Sequence, residues 1–297
     1  MMHPFRFRLA KLRLAKTAAK YGFIALLAIL LAMNLLAQRR GGGGGFGGFG
    51  GGGFGGGGAR ASEVESDFPK SADFHFVRME YLDYMRGGFR NVSRRGQASG
   101  WWAQDWPDAD EHFTSGVQRL TRIDVGDPVH VALTDERLFD YPWIYATQVG
   151  YWTLSDAETK KLREYLDRGG FLMTDDFWGP GPDEWNVFQE AMDRALPNHP
   201  ITDITMKESV MHVLYDIEQK DLTFIPGTRH LYRGQPAGTQ PAWKGIYDDR
   251  QRLIVAVNYN TDIGDAWEYA DSPEYPEKMT SLAYRYGINY LMYSITH

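Results

Sequence analysis

The chain has 297 residues, 32 Lys/Arg against 38 Asp/Glu, and no cysteine, so disulfides, thiolate metal sites and cysteine nucleophiles are excluded. Residues 1–40 carry eight Lys/Arg and no acid, which leaves 24 Lys/Arg against 38 Asp/Glu, or −14, for the rest. That balance argues against nucleic acid or anionic lipid as a partner of the folded part, and suits cationic ligands, metals or neutral sugars.

Gly22 to Ala37 is an almost unbroken apolar run behind a basic flank. Basic flank, apolar run and terminal alanine read as an export signal. The run is short for a span of roughly 20 residues, yet its basic flanks also suit an uncleaved, inside-positive anchor. Under both readings the body lies in the cell envelope, outside the cytoplasm, and touches a membrane only through residues 21–37. Residues 41–60 are glycine broken mainly by Phe46, Phe49 and Phe54. Such a segment cannot offset its ordering entropy by burial, so it reads as a disordered tether. A self-associating Gly/Phe segment is the sharper alternative. Residues 61–297 are long enough for one α/β domain.

Within that domain, Asp73 to Tyr81 alternates apolar and polar residues and predicts the first strand. Residues 87–100 read as a loop, and Trp101, Trp102 and Trp106 follow, suited to packing or to stacking on sugar rings. Asp108 or Asp110 is expected to cap a helix with Phe113, Val117 and Leu120 on one face. Val129 to Leu133 is the second strand and Trp143 to Ala146 the third. Ser155 and Glu158 make a capping-box pattern, with Leu162, Tyr165 and Leu166 on one helical face. Gly169-Gly170 stops that helix, and Phe171-Leu172-Met173 runs on as a fourth strand into Thr174-Asp175-Asp176. A strand–helix–strand unit of this length predicts a right-handed parallel crossover.

Gly179-Pro180-Gly181-Pro182 breaks regular structure, and a helix from Asp183 buries Trp185, Phe188, Met192 and Ala195. Val210 to Tyr215 is expected as a strand or short extended piece. Gly245-Ile246-Tyr247 and Leu253 to Val257 flank a hairpin turn. Asn258 to Pro276 reads as an acidic loop. The last helix starts near Glu277 and shows Met279, Leu282, Ala283, Tyr286, Tyr290 and Tyr293 at helical spacing. The pattern predicts a mainly parallel α/β sheet with helices on both faces and a hairpin near one edge.

Three segments carry a family resemblance: Phe76 to Tyr81 (FVRMEY), Leu138 to Asp176, and LIVAVNYNTDIGDAWEY followed by AYRYGINYLMYS. Over about residues 72–295 the chain resembles the bacterial "domain of unknown function 4159" family. The resemblance implies a class I glutamine amidotransferase-like, flavodoxin-related fold. It places Gln148-Val149-Gly150 where amidotransferases keep their oxyanion loop, and Thr174-Asp175-Asp176 where they keep the nucleophile elbow. Without cysteine, glutaminase chemistry of that type is impossible. Family members often have an Asp-His-Pro-like motif before a Tyr-Asp pair. Here the matching stretch is Lys207 to His212, and only His212 survives.

The candidate site residues follow from these placements. Asp175 and Asp176 stand at the carboxyl end of a strand, where ligand crevices form in open α/β sheets. Adjacent residues on a strand point to opposite faces, so both enter one pocket only if the strand has already ended. Asp262, Asp265 and Trp267 follow the last strand and belong to the same edge; the bland reading is a surface loop anchored by Trp267. Gln148, Gly150 and His212 complete the ligand-binding candidates, although a lone histidine is more often a packed or hydrogen-bonded residue, and His130 reads likewise. These oxygens suit a hard divalent cation as well as no cofactor at all. The leading expectation is a non-enzymatic envelope module that binds a small neutral or cationic ligand, or a protein partner. The alternative is a hydrolase acting on carbohydrate through Asp175 or Asp176 with Asp262 or Asp265, with or without a metal.

Overall fold

The computed structural model describes residues 72–83 and 100–297, all within one compact unit, Asp67–His297. The basic apolar segment and the Gly/Phe tract lie outside the described residues. Among the described residues no helix is long and apolar enough to cross a membrane.

The core is a seven-stranded sheet. Its strands are β1 (Val77–Glu80), β2 (Val129–Ala132), β3 (Trp143–Thr147), β4 (Phe171–Asp175), β5 (Thr202–Asp203), β6 (Ala242–Tyr247) and β7 (Leu253–Tyr259). The spatial order is β2-β1-β3-β4-β7-β6-β5. The first five in that order run parallel, and β6 pairs antiparallel with both neighbours. The chain steps outward from β1 to β2 and then returns to place β3 on the other side of β1. That reversal is a topological switch point.

Alternation along the strands feeds two cores. Phe76, Trp143, Tyr145, Phe171 and Met173 face one cluster, with Phe113, Trp267 and Tyr286 from helices α1 (Asp108–Leu120), α5 (Ile263–Glu268) and α6 (Glu277–Thr296). Val77, Met79, Ile144, Leu172 and Val255 face the other, with Leu162 and Phe188 from α2 (Asp156–Asp167) and α3 (Pro182–Ala195). Both faces are covered, as an interior parallel sheet requires. For that reason Arg78 of β1 is wholly buried, and His75, just before the strand, is nearly so.

The β3–α2–β4 unit has the predicted form. Ser155 Oγ accepts from the Glu158 amide and Glu158 returns a bond to the Ser155 amide at 2.8 Å, so the capping box is complete. Trp143 to Thr147 then pairs in register with Phe171 to Asp175.

Several expectations differ. Neither Asp108 nor Asp110 caps α1; Pro107 holds that position. Leu120 is exposed rather than buried. Val210 to Tyr215 is not a strand: Ser209–Met211 is a 3₁₀ turn. The Asn289 side chain takes over the role of a ladder there, accepting from the Leu214 and Tyr215 amides and donating to the Tyr215 carbonyl. The stretch read as an acidic loop contains α5, most of it buried.

Asp110 has a different role from capping. Arg78 Nε donates to its Oδ1 at 3.1 Å and the Nη2 group donates to Oδ2. The remaining nitrogen, Nη1, donates to the carbonyls of Trp102 and Gln104 at 3.2 and 2.6 Å. Burial opposes the guanidinium charge, but Asp110 outweighs it and holds the Arg78 pKa above its ordinary value. Removing one partner of such a pair strands a buried charge. Arg78→Met is therefore expected to lower unfolding stability by about 3–5 kcal/mol in urea denaturation, with partial recovery in Arg78→Met/Asp110→Leu. Equal loss in the single and double variants would show that the pair is not what the segment depends on.

Candidate functional site

β4 ends at Asp175, and Asp176 adopts the left-handed conformation with φ 50°. The strand has thus ended where the two carboxylates diverge. Asp175 is fully buried and closed by three donors. Tyr145 Oη donates to Oδ1 at 2.5 Å, and the Ile263 and Gly264 amides donate to Oδ2 at 2.6 and 3.0 Å. It ties β3, β4 and the first turn of α5 together. Burial pushes its carboxyl up to about 6, against the pull of those donors.

Asp176 takes Trp178 Nε1 on Oδ1 at 2.6 Å and the Gln148 amide on Oδ2. Gln148 is itself left-handed at φ 53°, and its side chain is thereby committed to Asp176. Gly150 is a packing glycine: a Cβ there would stand 2.5 Å from Glu184 Cβ.

After β7, Asp262 caps α5, accepting from the Asp265 amide on Oδ1 at 2.8 Å. Asp265 Oδ2 accepts from the Thr228 amide and hydroxyl at 2.5 and 2.9 Å, at the start of α4 (Thr228–Arg233). Both aspartates are buried, and Trp267 is a core residue at 0% exposure rather than a loop anchor.

A further residue, Asp105, joins them. It lies in the segment clamped by Arg78, is left-handed at φ 64°, and is 7% exposed. Its Oδ1 accepts from the Gln104 side chain at 2.6 Å, while Oδ2 is buried without a partner. Ligand oxygens of Asp105, Asp262 and Asp265 all lie within 4.8 Å of one another. Two glycines leave room for them. A Cβ on Gly264 would stand 2.7 Å from Asp105 Oδ2, and one on Gly227 would stand 2.3 Å from Asp262 Oδ2.

These carboxylates are mutually repulsive. Burial first, and then neighbouring acids, raise Asp105, Asp176 and Asp262 well above the ordinary carboxylate range. Asp265 acts on all three. Among the described residues, no Lys, Arg or His forms an ion pair with any of the four. Beside them, Trp178 packs on His230 with ring centres 4.3 Å apart, and the Arg229 guanidinium lies over the Trp178 ring. Burial lowers the His230 pKa to about 4, so its imidazole is neutral at pH 7.

The structure therefore brings Asp175, Asp176, Gln148, Asp262 and Asp265 to one edge of the sheet. His212 is engaged elsewhere, with Nδ1 on the Asp216 carboxylate at 2.9 Å and Nε2 on the Met206 carbonyl at 2.7 Å. His130 likewise pairs with Glu80 and packs against Trp102 and Trp106. Sequence reading missed Asp105. Its available signal was a polar Gln104-Asp105 pair set between tryptophans and followed by Pro107.

The family described as "Domain of unknown function (DUF4159)" matches residues 88–295, and the chain belongs to that family. The match begins after β1, so it does not include the first of the three resembling segments. No curated protein matches the chain.

The Asp175 carboxyl is raised in the fold, so the folded state binds its proton more tightly than the unfolded chain does. Its contribution to stability is full below the unfolded value of about 4 and is lost as pH rises toward about 6. Between those values the wild type is expected to lose roughly 3 kcal/mol relative to Asp175→Asn, read as a difference in the slopes of stability against pH. Parallel slopes would show that Asp175 ionises as it does in the unfolded chain.

Proposed function

We propose that this family member is a non-enzymatic ligand-binding module of the cell envelope, and that its crevice takes a cationic ligand. One observation carries the reading: the buried aspartates Asp105, Asp176, Asp262 and Asp265 lie near enough to repel one another, and among the described residues none of them forms an ion pair with a Lys, Arg or His. Buried charge of one sign is costly unless it is neutralised by protons or by a bound cation.

The frame fits the amidotransferase-like, flavodoxin-related expectation. The 2-1-3-4 start of the strand order is that of flavodoxin-like sheets. The left-handed Asp176 directly after β4 resembles a nucleophile elbow, a sharp turn at a strand end. No cysteine stands in it. Asp176 is fixed by Gln148 and Trp178, and Asp175 by three donors. That closure favours binding over the carboxylate hydrolase, which needs Asp175 or Asp176 free to exchange a proton with substrate. The basic apolar segment at residues 1–40 supports placing the module outside the cytoplasm.

A thermal-shift screen of the full chain tests the reading with divalent cations, putrescine, choline and a panel of neutral sugars. At least one cationic compound is expected to raise the melting temperature, by an amount equivalent to about 2.7 kcal/mol at a hundredfold excess over Kd. Neutral sugars are expected to leave it unchanged. A screen in which no cation shifts the protein overturns the proposal.

A further inference from the structure

We infer that Asp105, Asp262 and Asp265 form the site of one hard divalent cation of the calcium or magnesium class. This rests on the binding-module reading and names its ligand.

The three carboxylates share one arrangement. Each has one oxygen held by a protein donor: Asp105 Oδ1 by Gln104, Asp262 Oδ1 by the Asp265 amide, and Asp265 Oδ2 by Thr228. Each has a second oxygen with no hydrogen bond among the described residues. For Asp105 that oxygen is buried outright, so it has neither a protein partner nor solvent. A buried acceptor in this state is costly, and more so when it is charged. It points to a missing positive group.

The dimensions agree. Oxygens around one calcium ion at 2.3–2.6 Å stand at most about 5 Å apart, and around magnesium about 4 Å. Donor atoms within 4.8 Å of one another can meet on a single calcium ion, whereas magnesium requires them drawn to about 4 Å or less. All three ligands are carboxylates, which select hard cations over soft ones. The bare Cα atoms of Gly227 and Gly264 face the Asp262 and Asp105 oxygens, where any side chain would occupy the space an ion needs. The donors that hold the other oxygens fix each carboxylate before an ion arrives, as outer-sphere partners do in metal sites. Asp176, held by Gln148 and Trp178, lies close enough to raise the negative potential without contributing a free oxygen.

The test is calorimetric titration of the chelator-treated full chain with CaCl₂, MgCl₂ and MnCl₂, beside Asp105→Asn and Asp262→Asn. Asparagine caps a helix as well as aspartate does, so Asp262→Asn keeps α5 capped. The wild type is expected to bind one ion per chain, and each variant to lose at least tenfold in affinity. The ion-free Asp105→Asn protein is expected to melt no lower than the ion-free wild type, because it removes a repelling charge. Titration with putrescine separates the two levels of the argument. If putrescine binds and no metal does, the metal site is wrong and the cationic pocket stands. If neither binds, both fall. Metal affinity unchanged in both variants would also overturn the assignment, because the ion would then lie elsewhere.

Discussion

The buried Arg78 guanidinium is the constraint on which the acidic edge depends. It sits on a central strand with no solvent, and it satisfies its charge by forking onto Asp110 and reaching the carbonyls of Trp102 and Gln104. Those contacts fix both flanks of Asp105. The same guanidinium lies over the Tyr145 ring at 4.9 Å, and Tyr145 donates its hydroxyl to Asp175. One cation thus orders the segment before α1 and, through Tyr145, the end of β4. Arginine suits the position because its planar fork engages a carboxylate and carbonyls at once, whereas lysine offers a single point charge.

The consequence is a separation of roles among the acids. Asp110 neutralises the arginine, and Asp175 joins β4 to the first amides of α5, donors that a helix start leaves without intrahelical partners. These two are closed by protein groups. Asp105, Asp262 and Asp265 are held by one oxygen each and keep the other open. Burial alone does not distinguish the two sets, since all five are nearly solvent-free. Whether both oxygens are bonded does. A carboxylate bonded through both oxygens is a structural element, while one left with a bare oxygen lacks a partner.

How much of this was legible in the sequence follows from distance along the chain. The β3–α2–β4 unit was readable because its signals are local: a capping box three residues apart, apolar residues at helical spacing, and a glycine stop whose Gly169 has φ 106°. The carboxyl end of β4 followed from the same pattern, so Asp175 and Asp176 were found. Asp105 was not, because it enters the site through Arg78, whose partners lie 24 to 32 residues away. The helix α5 has six residues, too few to show a period, and its acids disguised a buried turn as a surface loop. Val210 to Tyr215 failed for the opposite reason. Its pattern suits a strand, but a single Asn289 side chain supplied the hydrogen bonds a neighbouring strand would have given. Backbone groups demand partners, and the sequence does not state which kind they find.

Under the proposed amidotransferase-like frame, Gln148 belongs to the segment expected as an oxyanion loop and Asp176 to the segment expected as a nucleophile elbow. Here both are left-handed and bonded to each other, so the two positions close on themselves. Left-handed backbone on non-glycine residues is costly and persists only when its surroundings hold it. Trp178 donating to Asp176, and the Asp176 amide donating to the Thr261 carbonyl, supply that hold. The open oxygens come from the segments after β1 and after β7, the strands that flank β3 and β4 in the sheet. A frame of this kind can lose its chemistry at the β4 corner and still keep a site, because the carboxyl edge of a parallel sheet gathers loop residues from several strands at once. What such a site could hold is then set by which acceptors remain unmet, and in this chain they are carboxylate oxygens.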